Sequence, residues 1–278
     1  MWNDYPEVKL IADSIYNDNR ISTFQVKYWR PLLAESNTHR IFSRNAASSR
    51  AQSWEKRCEE ATENTCVPKH WNAEQKGMVG GEEFSPATKE FLNAQIQHLA
   101  QSTVDYLNQL NAVVRRVTDK EIHKQYLNRY LEPFVSTTQL ITSTDWDNWF
   151  KLRMAEDAQP EMQDLATEMF YALQDSQPKE SNLHLPYVTF KEFKKYGEET
   201  SKKISVARCA RVSYRSYDEN IVLEKDLELY DRLWDSGHLS PFEHVAYGCE
   251  GHYYNLDGWK SLRYVLEHSI NPGSTGSK

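Results

Sequence analysis

The chain has 278 residues, with 33 basic against 40 acidic side chains and a net charge of −7. That length allows one large domain or a domain carrying an insertion. The acidic balance argues against a long nucleic-acid polymer as partner, because such a partner demands a basic footprint. No apolar run reaches the length of a membrane span, and Met1-Trp2-Asn3-Asp4 lacks the charged and apolar regions of a signal peptide. Cys58, Cys66, Cys209 and Cys249 are scattered, without paired spacing for zinc or a dense disulfide framework. A reducing cytoplasm, no bound metal and no membrane contact are expected.

In chain order, Ile21–Trp29 reads as a strand, rich in β-branched and aromatic residues. Residues 56–84, with Pro68, Gly77, Gly80 and Gly81, read as a loop insertion. Ser85-Pro86 supplies a cap and first-turn proline for a long amphipathic helix. Its expected buried face is Leu92, Ile96, Leu99, Thr103, Tyr106, Leu110 and Val113, which recur at three- and four-residue spacing. Asp119 is expected to cap a second helix ending near Leu131, on which Gln125 and Arg129 share a face. Gln139–Ser143 reads as a strand, and Thr144 with Asp147 as the cap of a third helix. After Pro160, the stripe Met162, Leu165, Met169 and Leu173 marks a fourth.

Residues 175–200 read as a connector and Ile204–Val206 as a strand. Residues 223–235 read as a helix burying Leu223, Leu227, Tyr230 and Trp234, and Phe242–Tyr247 as a strand. The tail Gly273–Lys278 is expected to be disordered. The expected fold class is α+β: a mixed sheet with a helical portion, in a single domain over residues 1–278.

Residues 38–50 carry the strongest functional signal. They hold three arginines, one histidine, three serines and one asparagine, with no acidic residue. Arginine presents a planar fork of donors matched to phosphate oxygens, and serine hydroxyls add short-range donors. In an acidic protein the cluster points to a pocket for a phosphorylated small molecule. The alternative is a solvated basic loop.

The spacing His39-Arg40, seven residues, Ser48 resembles the signature of the flavin-dependent thymidylate synthases, and Ser43, Asn45 and Arg50 match its longer pattern. Thr38 stands where that family has its first arginine, Ala46 replaces a glutamate, and Thr142-Ser143-Thr144 replaces an Asn-x-Arg stretch. Further blocks extend the resemblance: Ala207–Tyr214, Gly237–His244, His123–Pro133, Thr144–Arg153 and Asp157-Ala158-Gln159. The Ser-Pro-Phe-Glu-His block precedes the His-Arg block in the family but follows it here. A circular permutation accounts for that order, tolerated where termini are exposed and close together. Phage proteins share the arrangement, which makes host cytoplasm the expected location for a phage-encoded chain. The permutation requires Ile21–Trp29 and Phe242–Tyr247 to share one sheet, with His238 and Glu243 near His39.

The resemblance implies FAD contacts from His39, Arg40, Asn45, Asn148, His238, Ser240 and Glu243. It implies that Ser48 and Arg50 hold a nucleotide phosphate and that Arg129 and Arg153 bind the pyrimidine nucleotide. Arg153 is implied to stabilise negative charge at N3. An arginine stays protonated and so can stabilise an anionic pyrimidine whose C5 is a better nucleophile. No cysteine nucleophile is then needed, and none of the four cysteines follows proline.

The implied activity is one-carbon transfer from methylenetetrahydrofolate to C5 of dUMP, with NADPH reducing FAD, in a homotetramer. A dUMP or dCMP hydroxymethylase is the alternative within the enzyme class. An inactive nucleotide-binding assembly protein is the alternative outside it.

Overall fold

The computed structural model describes residues 5–214 and 222–270. Strand β1 (Glu7–Tyr16) and strand β2 (Asn19–Trp29) form a hairpin closed by Asn17 and Asp18, both at positive φ (46° and 63°). Two such residues make the primed turn whose twist suits a two-residue hairpin. A 3-10 turn and the short helix α1 (Leu33–Ser36) lead through residues 37–42 to β3 (Ser43–Ala46). Then follow α2 (Trp54–Glu63), α3 (Pro86–Thr118), α4 (Lys124–Tyr130), β4 (Ser136–Ser143), α5 (Asp147–Arg153) and α6 (Pro160–Gln174).

The short strands β5 (Lys179–Glu180) and β6 (Leu183–His184) precede α7 (Phe190–Tyr214), which is broken at Gly197 (φ 73°). Helix α8 (Leu223–Asp235), a 3-10 turn over Ser240–Glu243, β7 (Ala246–Tyr253), β8 (Leu256–Ser261) and α9 (Leu262–Ile270) complete the described chain.

The strands form a five-stranded mixed sheet, β3-β4-β2-β1-β5, and a three-stranded sheet, β6-β7-β8. Only β1–β5 is a parallel pair among the described strands. Helices α5 and α6 cover the larger sheet, burying Trp149, Met162, Leu165 and Met169 against Phe24, Val26, Tyr28 and Ile141. The α+β class holds.

The expected caps at Ser85 and Pro86 are present: Ser85 accepts from the Thr88 amide. Helix α6 buries the expected Met162, Leu165, Met169 and Leu173. Several expectations need correction. Helix α3 turns Ala100, Val104 and Leu107 inward, while Leu99, Tyr106, Leu110 and Val113 face outward. The smaller stripe wins because α2 and α4 approach closely over Ala61, Leu127 and Ala100. Asp119 ends α3 in the left-handed region (φ 59°) instead of opening α4, whose cap is the His123 ring accepting from the Gln125 amide. Asx residues tolerate that conformation. Thr144 does not cap α5; its hydroxyl accepts from the Asp257 amide, and Asp145 takes the Asp147 amide.

Residues 204–206 are helical within α7, not a strand. Val206 packs with Ala207 and Ala210 on one helix face and Ile204 is buried, so packing overrides propensity. In α8 the buried line is Asp226, Leu229 and Leu233, with Leu223, Leu227, Tyr230 and Trp234 half-buried beside it. The segment 56–84 begins inside α2, and 175–200 contains β5, β6 and the start of α7. The tail 273–278 lies outside the described residues.

The largest correction concerns 242–247. Residues 240–243 form a 3-10 turn around Pro241, and β7 starts at Ala246 in the smaller sheet. It cannot join β2, whose two edges are already hydrogen-bonded to β1 and β4.

Candidate functional site

The basic block wraps from the end of α1 into β3. Arg44 on β3 donates to the carbonyls of His39 (2.8 Å) and Ser36 (3.4 Å), folding the 36–44 loop around its own guanidinium. This ties Arg44 to the loop, so it does not stand free to replace the missing family arginines. Arg153 enters from the last turn of α5. Its Nε donates to His39 Nε2 (3.1 Å), and its Nη2 to Thr38 Oγ1 (3.0 Å) and the Glu35 carbonyl (3.4 Å). Thr38 donates in turn to the Glu35 carbonyl (2.7 Å), so its hydroxyl is fixed as an acceptor toward Arg153. Thus the residue that departs from the family pattern orients the guanidinium. The Nη1 contact with the Glu35 carboxylate is long, 3.5 Å, the weakest hold on the guanidinium.

His39 is 7% exposed, stacked on Phe42 and met edge-on by Trp149 at 4.8 Å. Burial first, then the charges of Arg153 and Arg44, push its pKa down to about 4. The ring is therefore neutral at pH 7. Because Nε2 accepts from Arg153, the proton sits on Nδ1.

A second group gathers around β3. Ser43 and Glu243 line one cleft of about 440 Å³ with Tyr253, Tyr254 and Arg263. Arg263 holds Glu243 (2.5 Å) and Glu267 (3.0 Å). Next to this cleft, His244 Nε2 meets Asn45 Oδ1 at 2.6 Å, while Asn45 Nδ2 donates to the Cys209 carbonyl (2.9 Å). Each end of the Asn45 amide thus has one partner inside the protein. The blocks 38–50 and 240–244 are brought together, although they belong to no common sheet.

The remaining expected residues are more dispersed. Ser48 is held by its amide to the Ser213 carbonyl, and its hydroxyl accepts from the Arg50 amide. The Arg40, Arg50 and Arg129 side chains are exposed, with no protein partner among the described residues. Arg129 follows Asn128, which ties α4 to the carbonyls of Ser49 and Gln52. Asn148 is exposed on α5, and His238 and Ser240 are exposed beyond α8, without a side-chain contact to His39 among the described residues. Glu35, Trp149, His244 and Arg263 were missed as contributors. Of these, His244 and Trp149 carried a signal, as members of the Gly237–His244 and Thr144–Arg153 blocks.

Cys58, Cys209 and Cys249 are not poised as nucleophiles. Burial drives the Cys209 thiol far up and the Cys58 thiol to about 11, and also raises Cys249. A thiol that remains protonated is a poor nucleophile. Changing Cys58 and Cys249 to serine is expected to leave turnover unchanged in a steady-state assay. Loss of turnover on either change, with circular dichroism unaltered, would favour a cysteine mechanism.

Residues 20–179, more than half of the chain, match the Thy1 family, described as thymidylate synthase complementing protein. The chain belongs to this family, that of the flavin-dependent thymidylate synthases, and is an enzyme. Among solved structures it is similar to the flavin dependent thymidylate synthase ThyX from Helicobacter pylori complexed with FAD and dUMP. The identity is 21% over 55% of this chain and 67% of that chain, with a TM-score of 0.31. A second Helicobacter pylori structure, Thymidylate Synthase X with FAD and dUMP, gives 22% identity, the same coverage and a TM-score of 0.32. No curated protein matches the chain.

Proposed function

We propose that this enzyme converts dUMP to dTMP, using FAD, NADPH and methylenetetrahydrofolate. The observation that carries the reading is Arg153, bonded to His39 and Thr38 inside the basic block with its side chain partly exposed. An arginine so held offers a fixed cation to a pyrimidine ring that becomes anionic at N3. Ring C5 then takes the folate methylene and loses its proton, and tetrahydrofolate leaves. When bound and reduced by NADPH, FAD supplies the hydride that completes the methyl group.

The residues fit such a cofactor. The Trp149 indole N–H beside His39 is buried without an acceptor, and Ser43 and Glu243 share a cleft with two tyrosines. In this reading His39, Arg40, Ser43 and Glu243 hold the flavin, Asn148, His238 and Ser240 contribute from the surface, and Arg50, Ser48 and Arg129 bind the nucleotide.

The order of the blocks supports a circular permutation. The family match ends at residue 179, and the remaining pattern follows it. Glu243 and His244 nevertheless stand beside Ser43 and Asn45. The outward stripe Leu99, Tyr106, Leu110 and Val113 on α3 supports a helix contact in a homotetramer. No described helix is long and apolar enough to cross a membrane, and cytoplasmic operation is part of the proposal.

The test is direct. Protein titrated with FAD is expected to bind it and to show its absorbance near the visible flavin bands. Turnover of dUMP with the folate and NADPH should yield a product heavier by a methyl group. A hydroxymethyl product would select the alternative chemistry, and no flavin binding would remove the cofactor assignment.

A further inference from the structure

A continuous chain of buried hydrogen bonds runs from the hairpin strand β1 to the basic block. Its members are Ser14, His184, Thr23, Thr142, His244 and Asn45. Both histidines are fully buried, as are both threonines. The chain has a direction, fixed at one end. The Cys209 carbonyl can only accept, so Asn45 turns Nδ2 toward it and Oδ1 toward His244. His244 Nε2 must then carry the ring proton and donate it (2.6 Å).

Burial pushes the pKa of His244 down to about 3, so the ring is neutral and its Nδ1 is an acceptor. Nδ1 takes the Thr142 hydroxyl proton (2.8 Å), and Thr142 accepts from Thr23 (2.6 Å). Thr23 accepts from His184 Nε2 (2.8 Å), and His184, equally neutral, accepts at Nδ1 from Ser14 (2.9 Å). Each hydroxyl has one proton and each ring one N–H, and every one finds an acceptor.

We propose that His184 is a positioning residue for the flavin–nucleotide site, acting through Thr23, Thr142 and His244 to hold the Asn45 amide and strand β3. The proposal rests on the reading that residues 38–50 bind flavin and nucleotide. Strand β3 needs such an anchor. It is four residues long, lies at the edge of its sheet and pairs only with β4. A short edge strand has few ladder bonds to hold it. Yet it sets the spacing between His39-Arg40 on one side and Ser48-Arg50 on the other. Breaking the chain anywhere leaves a buried donor or acceptor unpaired. Reversing it would turn the Asn45 oxygen onto the Cys209 carbonyl.

The test combines histidine ring nitrogen NMR with binding of FAD and dUMP to the full chain. At pH 7 the rings of His184 and His244 should both be neutral with the proton on Nε2. His184→Leu removes both ring contacts. His184→Gln keeps an acceptor oxygen and a donor nitrogen at comparable separation. His184→Leu is expected to weaken FAD and dUMP binding by about tenfold, the equivalent of one lost buried hydrogen bond. His184→Gln should restore affinity to within about threefold.

Met169→Ala serves as a control for lost stability. It opens the core away from the chain of bonds and should bind as the wild type does. If His184→Leu does not fold, Thr142→Val gives the same reading, with Thr142→Ser as its rescue. Several results would overturn the positioning role alone: His244 protonated on Nδ1, folded variants that bind like wild type, or Met169→Ala losing as much affinity as His184→Leu. Wild-type protein that binds neither FAD nor dUMP would instead overturn the functional reading, and the positioning role with it.

Discussion

Replacing Arg153 with alanine is expected to lower kcat and kcat/KM together, by about 10²- to 10³-fold, while nucleotide affinity changes far less. The guanidinium is fixed before substrate arrives by three groups: His39 Nε2, the Thr38 hydroxyl and the Glu35 carbonyl. Its interaction with the ring strengthens as negative charge develops at N3, so its loss falls on the transition state. Arg153→Lys should recover little, because a lysine has no fork to reach His39 and Thr38 at once. Folding should survive either change. The ion pair with Glu35 is long at 3.5 Å, the Glu35 side chain is 41% exposed, and such pairs contribute at most about 1 kcal/mol. Steady-state kinetics with a separate measurement of nucleotide binding decides the matter. A raised KM with kcat intact would assign Arg153 to ground-state binding only. Ser48→Ala and Arg50→Ala should show that second pattern, weakening nucleotide binding first.

Acid should destabilise the protein well before its carboxylates titrate. His39, His184 and His244 all have folded pKa values pushed below the usual 6.5, to about 4, 3 and 3, with burial as the leading cause in each. The sign follows from proton counting. Below pH 6.5 the unfolded chain binds protons that the folded chain refuses, so stability is fully present above pH 6.5. It is lost as the pH falls toward the folded values. His39 alone should remove about 2 kcal/mol between pH 7 and pH 5. The two interior histidines act in the same direction. Urea unfolding across that range checks this. His184→Gln should make the fall with pH shallower, by about one proton's worth of slope. A pH-independent midpoint between 7 and 5 would mean that these rings are not held neutral in the folded state.

Local chemistry made some elements legible. Ser85-Pro86 starts α3 and Pro160 starts α6, because a cap and a fixed φ act on the next turn alone. The bounds of α8 and the strand character of β2 and β4 were equally readable. The outward face of α3 was not. Its heptad-like stripe is stronger than the Ala100–Val104–Leu107 line, and only the approach of α2 and α4 decides which one turns inward. Asp119 looked like a helix start and is a helix end, because an Asx residue serves both and the chain direction beyond it is a tertiary matter.

The site divides in the same way. Residue types alone marked the 38–50 block as a candidate phosphate pocket, since arginine forks and hydroxyls carry that chemistry wherever they stand, while Arg153 entered only through the family resemblance. The same resemblance, with its permuted order, drew the 237–244 block toward that centre. Tertiary structure decided how the parts meet. It put Arg153 on His39 and Thr38, sent Asn45 inward, and left His238 exposed. It also moved residues 246–253 into a second sheet, because β2 had no unpaired edge to offer. The physical reason is range. Caps, turns and donor geometry act over a few residues and can be read in order. The partner of a buried polar group is fixed only when distant segments close around it and exclude water, as Thr142 and His244 show across 102 positions.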